Sequence, residues 1–246
     1  MNDSMEMIQG GSVSASPVLQ ITNLYKNYGA HSVLQGVSFS IPRGRIVGLL
    51  GPNGCGKSTI MKLISGLIQA DQGNILIDGI GPGRQTKSLI SYLPERTYLN
   101  DWMKIADLLN LFCDFYPDFD RSRAIQMLTD LNISTDTRLK TMSKGTKEKV
   151  QLILVMSRRA HLYLLDEPIG GVDPAAREYI LNTILKNFDE DSSILISTHL
   201  IQDVETIFDE VLFLNQGKIV IQGQVDDIRQ SHGKSIDALF REVFRC

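Results

Sequence analysis

Gly51-Pro52-Asn53-Gly54-Cys55-Gly56-Lys57-Ser58-Thr59 is the stretch whose reading decides the fold. It fits the pattern G-x-x-x-x-G-K-[ST], in which a glycine-rich loop wraps phosphate groups. The pattern is informative only between a strand and a helix, and both neighbours are present. Ile46-Val47-Gly48-Leu49-Leu50 before it is a continuous apolar run, as a strand covered on both faces requires. Ser58 to Gly66 after it reads as a helix. The glycines let the backbone curl so that several N–H groups face a phosphate. The start of the helix adds the positive end of its dipole. Lys57 is expected on the β- and γ-phosphates, and the Ser58 hydroxyl on Mg²⁺.

Working outward, Leu162-Tyr163-Leu164-Leu165, Ile194-Leu195-Ile196 and Val211-Leu212-Phe213-Leu214 repeat the buried-strand signal. Helical stretches such as Ala175 to Phe188 lie between them, so the pattern predicts a parallel sheet with helices on both faces. Upstream, Val37-Ser38-Phe39-Ser40-Ile41 alternates as a half-buried strand does, and Pro42-Arg43-Gly44 is a turn. Lys218-Ile219-Val220-Ile221, after Asn215-Gln216-Gly217, reads as the second arm of a hairpin. From Ile105 to Leu131 the period turns helical. Leu108, Leu109, Leu111 and Phe112 are followed by Ala124, Ile125, Leu128 and Leu131, with a break at Pro117-Asp118-Phe119-Asp120. This predicts a small helical subdomain inserted in the α/β core. Residues 1–17 read as a flexible polar tail without the apolar block of a secretory signal. Residues 18–246 read as one domain.

The chain has 246 residues, 43% hydrophobic and 22% charged, with a formal net charge of −3. It is long enough for a substantial core and too ordinary in composition for extensive disorder. The charge balance argues against nucleic-acid binding through bulk positive charge. No run approaches the roughly 18 apolar residues of a membrane-spanning helix. Cys55, Cys113 and Cys246 are an odd number without metal-ligand spacing, so neither a disulfide framework nor a zinc site is expected, and a reducing compartment fits.

A second chemical element follows the run from Leu162 to Leu165. Asp166 and Glu167 come at the carboxyl end of that strand, where open α/β sheets bind ligands. Asp166 suits Mg²⁺. Glu167, one residue on, suits the polarisation of an attacking water.

Together these residues resemble those of the ATP-binding subunits of ABC transporters, over Val18 to about Gly223. Tyr28 matches the aromatic residue that stacks on adenine. Met142-Ser143-Lys144-Gly145-Thr146 lies where the family carries its L-S-G-G-Q signature. Gly170-Gly171-Val172-Asp173 matches the D-loop, and Ser197-Thr198-His199 the switch histidine. The fold this implies is a P-loop NTPase core with a parallel sheet flanked by helices. An N-terminal antiparallel β subdomain is added to it, and a helical subdomain is inserted at about 96–145. The resemblance also implies a head-to-tail dimer, with each ATP between the phosphate loop of one copy and the signature of the other. Ser143 and Gly145 would then form a second anion site at a helix start. His199 would hold Glu167 and the water in register, and Asp173 would link the two sites. With Lys57, Glu167 and His199 present, a hydrolysis-competent ATPase is expected.

Two positions depart from the family. The signature reads M-S-K-G-T, which resembles exporter-like subunits with S-K-G signatures. Lys144 has two readings, a solvent-held side chain, which we favour, and a direct phosphate contact. Glu95, in Tyr92-Leu93-Pro94-Glu95, stands where the family places a Mg²⁺-facing glutamine. A glutamate attracts the ion and repels the γ-phosphate. At about 4 Å each term is roughly 4 kcal/mol at an effective dielectric near 20, and the two largely offset. Cys55, inside the loop, has a bland reading as a small residue that fits, and a sharper one as a redox-sensitive thiol.

The resemblance implies ATP and Mg²⁺, a separate integral membrane transporter subunit as partner, and a second copy or a related ATPase subunit. It implies a peripheral place on the cytoplasmic face of the membrane. No nucleic-acid partner is expected. The alternatives are a soluble ABC-type ATPase acting on nucleic acid or ribosomes, and a small-molecule kinase. The stripe Ile236, Leu239, Phe240, Val243 and Phe244 reads as a core-packing helix rather than a membrane anchor.

Overall fold

The structure, a computed structural model, describes residues 16–171 and 174–244. Nearly all of the expected tail, the D-loop Asp173 and Cys246 lie outside the described residues.

Two sheets form. The first is antiparallel, from β1 (Leu19–Tyr28), β2 (His31–Ile41) and β4 (Gln72–Ile77), in the order β2-β1-β4. Between β2 and β4 in sequence come β3 (Ile46–Leu50) and helix α1 (Lys57–Ile64). The second sheet has β3 near its centre. It adds β5 (Ile90–Leu93), β6 (Leu162–Asp166), β7 (Ser193–Thr198), β8 (Glu210–Asn215) and β9 (Lys218–Gln224), in the order β5-β6-β7-β3-β8-β9. Every pairing in it is parallel except β8 with β9, which is the hairpin expected from Asn215-Gln216-Gly217.

The remaining helices are α2 (Thr86–Leu89), α3 (Ile105–Phe115), α4 (Arg121–Asp130), α5 (Lys144–Met156), α6 (Pro174–Lys186), α7 (Ile201–Val204), α8 (Val225–His232) and α9 (Ile236–Phe244). Strand alternation sorts them into layers. Val47, Leu49, Leu164, Leu195 and Leu212 face α1 and the antiparallel sheet in one core cluster. Ile46, Leu50, Leu165, Ile196 and Phe213 face a second cluster built with α3 to α9. Both faces of the parallel sheet are therefore covered, which is why its strands read as unbroken apolar runs.

The helical stretch forms at Ile105–Phe115 and Arg121–Asp130, and Asp120 caps α4 by accepting from Arg123 N at 3.0 Å. Not every apolar residue of that stretch is inside. Ile105, Leu108, Leu109 and Phe112 are buried, whereas Leu111 and Ile125 are exposed. The buried set follows the i, i+3, i+4, i+7 rule, and Leu111 is one residue, about 100°, off the stripe. At the other end, α9 packs as expected from its stripe. Phe240 meets Phe213 edge-on at 5.7 Å and Phe244 at 4.3 Å between ring centroids.

Arg158 fastens the α3–α4 connection to the sheet. It is 3% exposed. Its Nε donates to both Asp118 oxygens at 3.2 Å, and Nη1 donates to Ile90 O at 2.5 Å. Its guanidinium lies 3.9 Å over the Tyr116 ring. Arg158→Ala leaves Asp118 and the carbonyls of Ile90 and Ser88 without their donor, so it is expected to destabilise by about 3–5 kcal/mol. At about 2–4 °C per kcal/mol for a chain of this size, Tm falls by about 6–20 °C. Calorimetry checks this, and a shift under 2 °C would show that water replaces the guanidinium.

Candidate functional site

The register of the parallel sheet brings three chain segments to one edge. Leu50 pairs with Thr198 and Asp166 with Ser197, so β3, β6 and β7 end side by side. The phosphate loop leaves β3, Glu167 follows β6 and His199 follows β7. These ends open into a cleft of about 1120 Å³, lined by Lys57, Ser58, Glu95, Glu167, His199 and the loop residues Asn53, Gly54, Gly56 and Thr59.

The loop needs its glycines for different reasons. A Cβ on Gly51 would lie 2.4 Å from Leu214 O and 2.6 Å from Cys55 Sγ. Gly56 sits at φ 116°, in the left-handed region, directly before α1. Cys55 is buried, and burial raises its thiol pKa even though Lys57 pulls it down. A buried thiol held protonated is a poor nucleophile, so the structure favours the bland reading of Cys55.

Lys57 is 5% exposed. Its ammonium donates to Gly51 O at 2.8 Å and Pro52 O at 3.3 Å, and pairs with Glu167 Oε1 at 3.2 Å. A buried ammonium has three donors to satisfy, and the loop and Glu167 satisfy them.

Glu167 has φ 50°, a sparsely populated conformation for a residue with a Cβ. It persists because the Glu167 N–H donates to Ser197 O at 3.0 Å and approaches Ser197 Oγ at 3.2 Å. Its carboxylate faces His199 Nδ1 with both oxygens at 3.1 Å. The hydrogen bond places a proton on Nδ1.

Asp166 is 2% exposed. It accepts from Ser197 Oγ at 2.5 Å and from Ser58 Oγ at 3.1 Å. Burial raises its pKa above the ordinary aspartate value. The two serines pull it down, and the Glu167 and Glu95 charges push it further up. An unneutralised carboxylate beside a hydroxyl, both hard oxygen donors, fits a small divalent cation.

The sequence expectations for the other residues divide. Lys144 lines the cleft, but its side chain is 80% exposed and its Nζ lies 3.6 Å from Glu148 Oε1, in keeping with the solvent-held reading. Ser143 caps α5, its Oγ accepting from Thr146 N at 3.2 Å. Gly145 has open space where a Cβ would point. Ser143, Gly145 and Tyr28 are not among the residues lining the cleft. Tyr28 ends β1, 49% exposed, with Lys26 Nζ 5.6 Å from its ring centroid. Sequence reasoning gave no role to Ser197, which holds both Asp166 and Glu167, or to Val33, Arg96, Thr97 and Lys147, which line the cleft. Ser197 stood beside His199 in the quoted motif, whereas Val33 carries no local signal.

Residues 34–170 match the family model described as ABC transporter. The chain is 31% identical over 220 residues to the ABC transporter ATP-binding protein YtrB of Bacillus subtilis (strain 168), covering 88% of this chain and 75% of that one. It is 31% identical to the SkfA peptide export ATP-binding protein SkfE of the same organism, covering 82% and 87%. Among solved structures it resembles an ATP-binding subunit of an ABC transporter with TM-score 0.84 and 31% identity, covering 92% of this chain and 99% of that one.

Proposed function

This chain belongs to the ABC transporter family as an ATP-binding, ATP-hydrolysing subunit that powers transport, and from that premise we propose how its own residues bind and cleave ATP. The observation that carries the reading is the convergence of Lys57, Ser58, Asp166, Glu167 and His199 at one sheet edge.

Gly51 to Thr59 receives the phosphates with inward N–H groups. Lys57 exchanges its loop carbonyls for the β- and γ-phosphate oxygens. Ser58 and Asp166 would hold Mg²⁺, which would supply positive charge against the phosphates. Glu167 takes the proton of a water whose oxygen bonds to the γ-phosphorus, as the bond to the β,γ-bridging oxygen breaks and ADP leaves. His199 orients Glu167 through its Nδ1–H. Tyr28 stacks on adenine, and Ser143 and Gly145 meet the γ-phosphate of a facing copy or relative, with Lys144 held in solvent beside them. Asp173 links the two sites across that dimer.

Among the described residues no helix is long and apolar enough to cross a membrane. The proposed partner is a separate integral membrane subunit on whose cytoplasmic face this chain sits. The segment after Glu95 and the helical subdomain through Asn132 supply the docking surface, with Tyr98 and Trp102 exposed. The likeness to a peptide-export ATP-binding protein favours export.

The reading is tested by tagging the chain in its native cell and identifying what co-purifies from gently solubilised membranes. A stoichiometric multi-span protein is the expected result. Recovery from cytosol with ribosomes or nucleic acid overturns the transporter partner. The place of Glu95 is tested separately. Glu95→Gln is expected to shift the Mg²⁺ concentration for half-maximal ATPase by about 3–10-fold, the scale of roughly 1 kcal/mol in a metal contact. If neither the rate nor the Mg²⁺ dependence changes, Glu95 is not a metal contact.

A further inference from the structure

Helix α5 carries Ser143 at its start and packs along β5, the strand that leads to Glu95. At the far end the two elements are firmly joined. Ser91 Oγ donates to Val155 O at 2.8 Å, and Arg158 donates to Ile90 O at 2.5 Å and to Ser88 O at 2.8 Å. Toward the cleft the side-chain tie is Gln151, whose Nε2 donates to Pro94 O at 3.3 Å. Pro94 immediately precedes Glu95. Gln151 is 3% exposed, yet its Oε1 has no hydrogen-bond partner among the described residues, and neither does Glu148 Oε2 one turn nearer Ser143. Both residues border a cavity of about 20 Å³, which Glu95, Thr97 and Glu167 also line.

A buried amide is a poor choice for packing alone, because it must find hydrogen-bond partners that an apolar side chain of the same volume does not need. What the amide adds is a grip on the backbone beside Glu95. We infer that Gln151 is a positioning residue that couples Glu95 to the signature end of α5. Displacement of Glu95 toward bound nucleotide pulls the Pro94 carbonyl, and Gln151 passes that pull to the helix. The joint at Ser91 and Arg158 is the pivot. From Gln151 to Ser143 is eight residues, or about 12 Å of rigid helix. The inference rests on the nucleotide site proposed above.

The test is backbone hydrogen exchange of the full chain with and without Mg²⁺-ATP, at a protein concentration where it stays monomeric. In the wild type, ATP is expected to slow exchange about fivefold or more both at 94–98 and at 144–148. Gln151→Met keeps the volume and removes the amide. Gln151→Asn keeps an amide one methylene too short to reach Pro94, and carries the test if the methionine variant does not fold. In both, protection at 94–98 should persist and that at 144–148 should fall below twofold. Protection of both segments in either variant overturns the coupling. Loss of protection at 94–98 in a variant that still binds ATP also overturns it, by placing Gln151 in the site itself. If ATP protects neither segment of the wild type, the nucleotide-site reading fails, and the coupling with it.

Discussion

Glu167→Gln is expected to lower the steady-state ATPase rate by about 10²–10⁴, the usual contribution of a positioned general base, while ATP still binds. The geometry explains why so small a change has so large an effect. The backbone of Glu167 is fixed by Ser197, so the side chain stays where it is. A glutamine oxygen still accepts from Lys57, now 3.2 Å from Oε1. What disappears is the negative charge and with it the capacity to take a proton at neutral pH, while an amide donor replaces one of the two acceptor oxygens. Bound ATP then persists, and the nucleotide-bridged dimer should accumulate. Size-exclusion chromatography with Mg²⁺-ATP, beside a phosphate-release assay, checks both halves. Turnover equal to wild type would sink Glu167 as the base.

The second large effect is on binding. Lys57→Ala is expected to weaken ATP affinity by about 10- to 150-fold, the range for losing roughly 1.5–3 kcal/mol of charge-assisted hydrogen bonding. Lys57 is buried against two loop carbonyls and Glu167, so no other donor can take its place without rebuilding the loop. Its removal also leaves Glu167 and Asp166 facing the phosphates without that cation, which adds repulsion to lost attraction. Titration with a fluorescent ATP analogue measures the change. A Kd within twofold of wild type would mean that the glycine-loop N–H groups alone hold the phosphates. A melting temperature taken alongside separates this from loss of fold, since the carbonyls of Gly51 and Pro52 lose a donor as well.

The two variants act on different steps through residues that touch each other. Lys57 and His199 both engage the Glu167 carboxylate. On the proposed mechanism, ATP would draw Lys57 to the phosphates and leave His199 as the donor on Glu167. The proposed base would then be released by the substrate it acts on, through one ion pair.

The sequence by itself determined the fold class and pointed to most of the residues proposed to react. Strand, loop and helix around Gly51–Thr59 are contiguous, so their relation is set by local geometry and is visible as spacing. Asp166 and Glu167 were legible because they close an apolar strand run, and His199 through the family resemblance of Ser197-Thr198-His199. The tertiary structure decided what spans long separations. Ser197 reaches Asp166 across 31 residues, Arg158 reaches Asp118 across 40 and Gln151 reaches Pro94 across 57. No local pattern encodes such partners, since they depend on strand register and on which face of a helix turns inward. The same holds for Leu111 and Ile125, apolar by type and exposed by their place on the helix. It holds for Val33, which reaches the cleft only because β2 passes beside the phosphate loop. Chemistry tied to one strand end can be read along the chain. Chemistry assembled between elements depends on packing, and packing is a property of the whole fold.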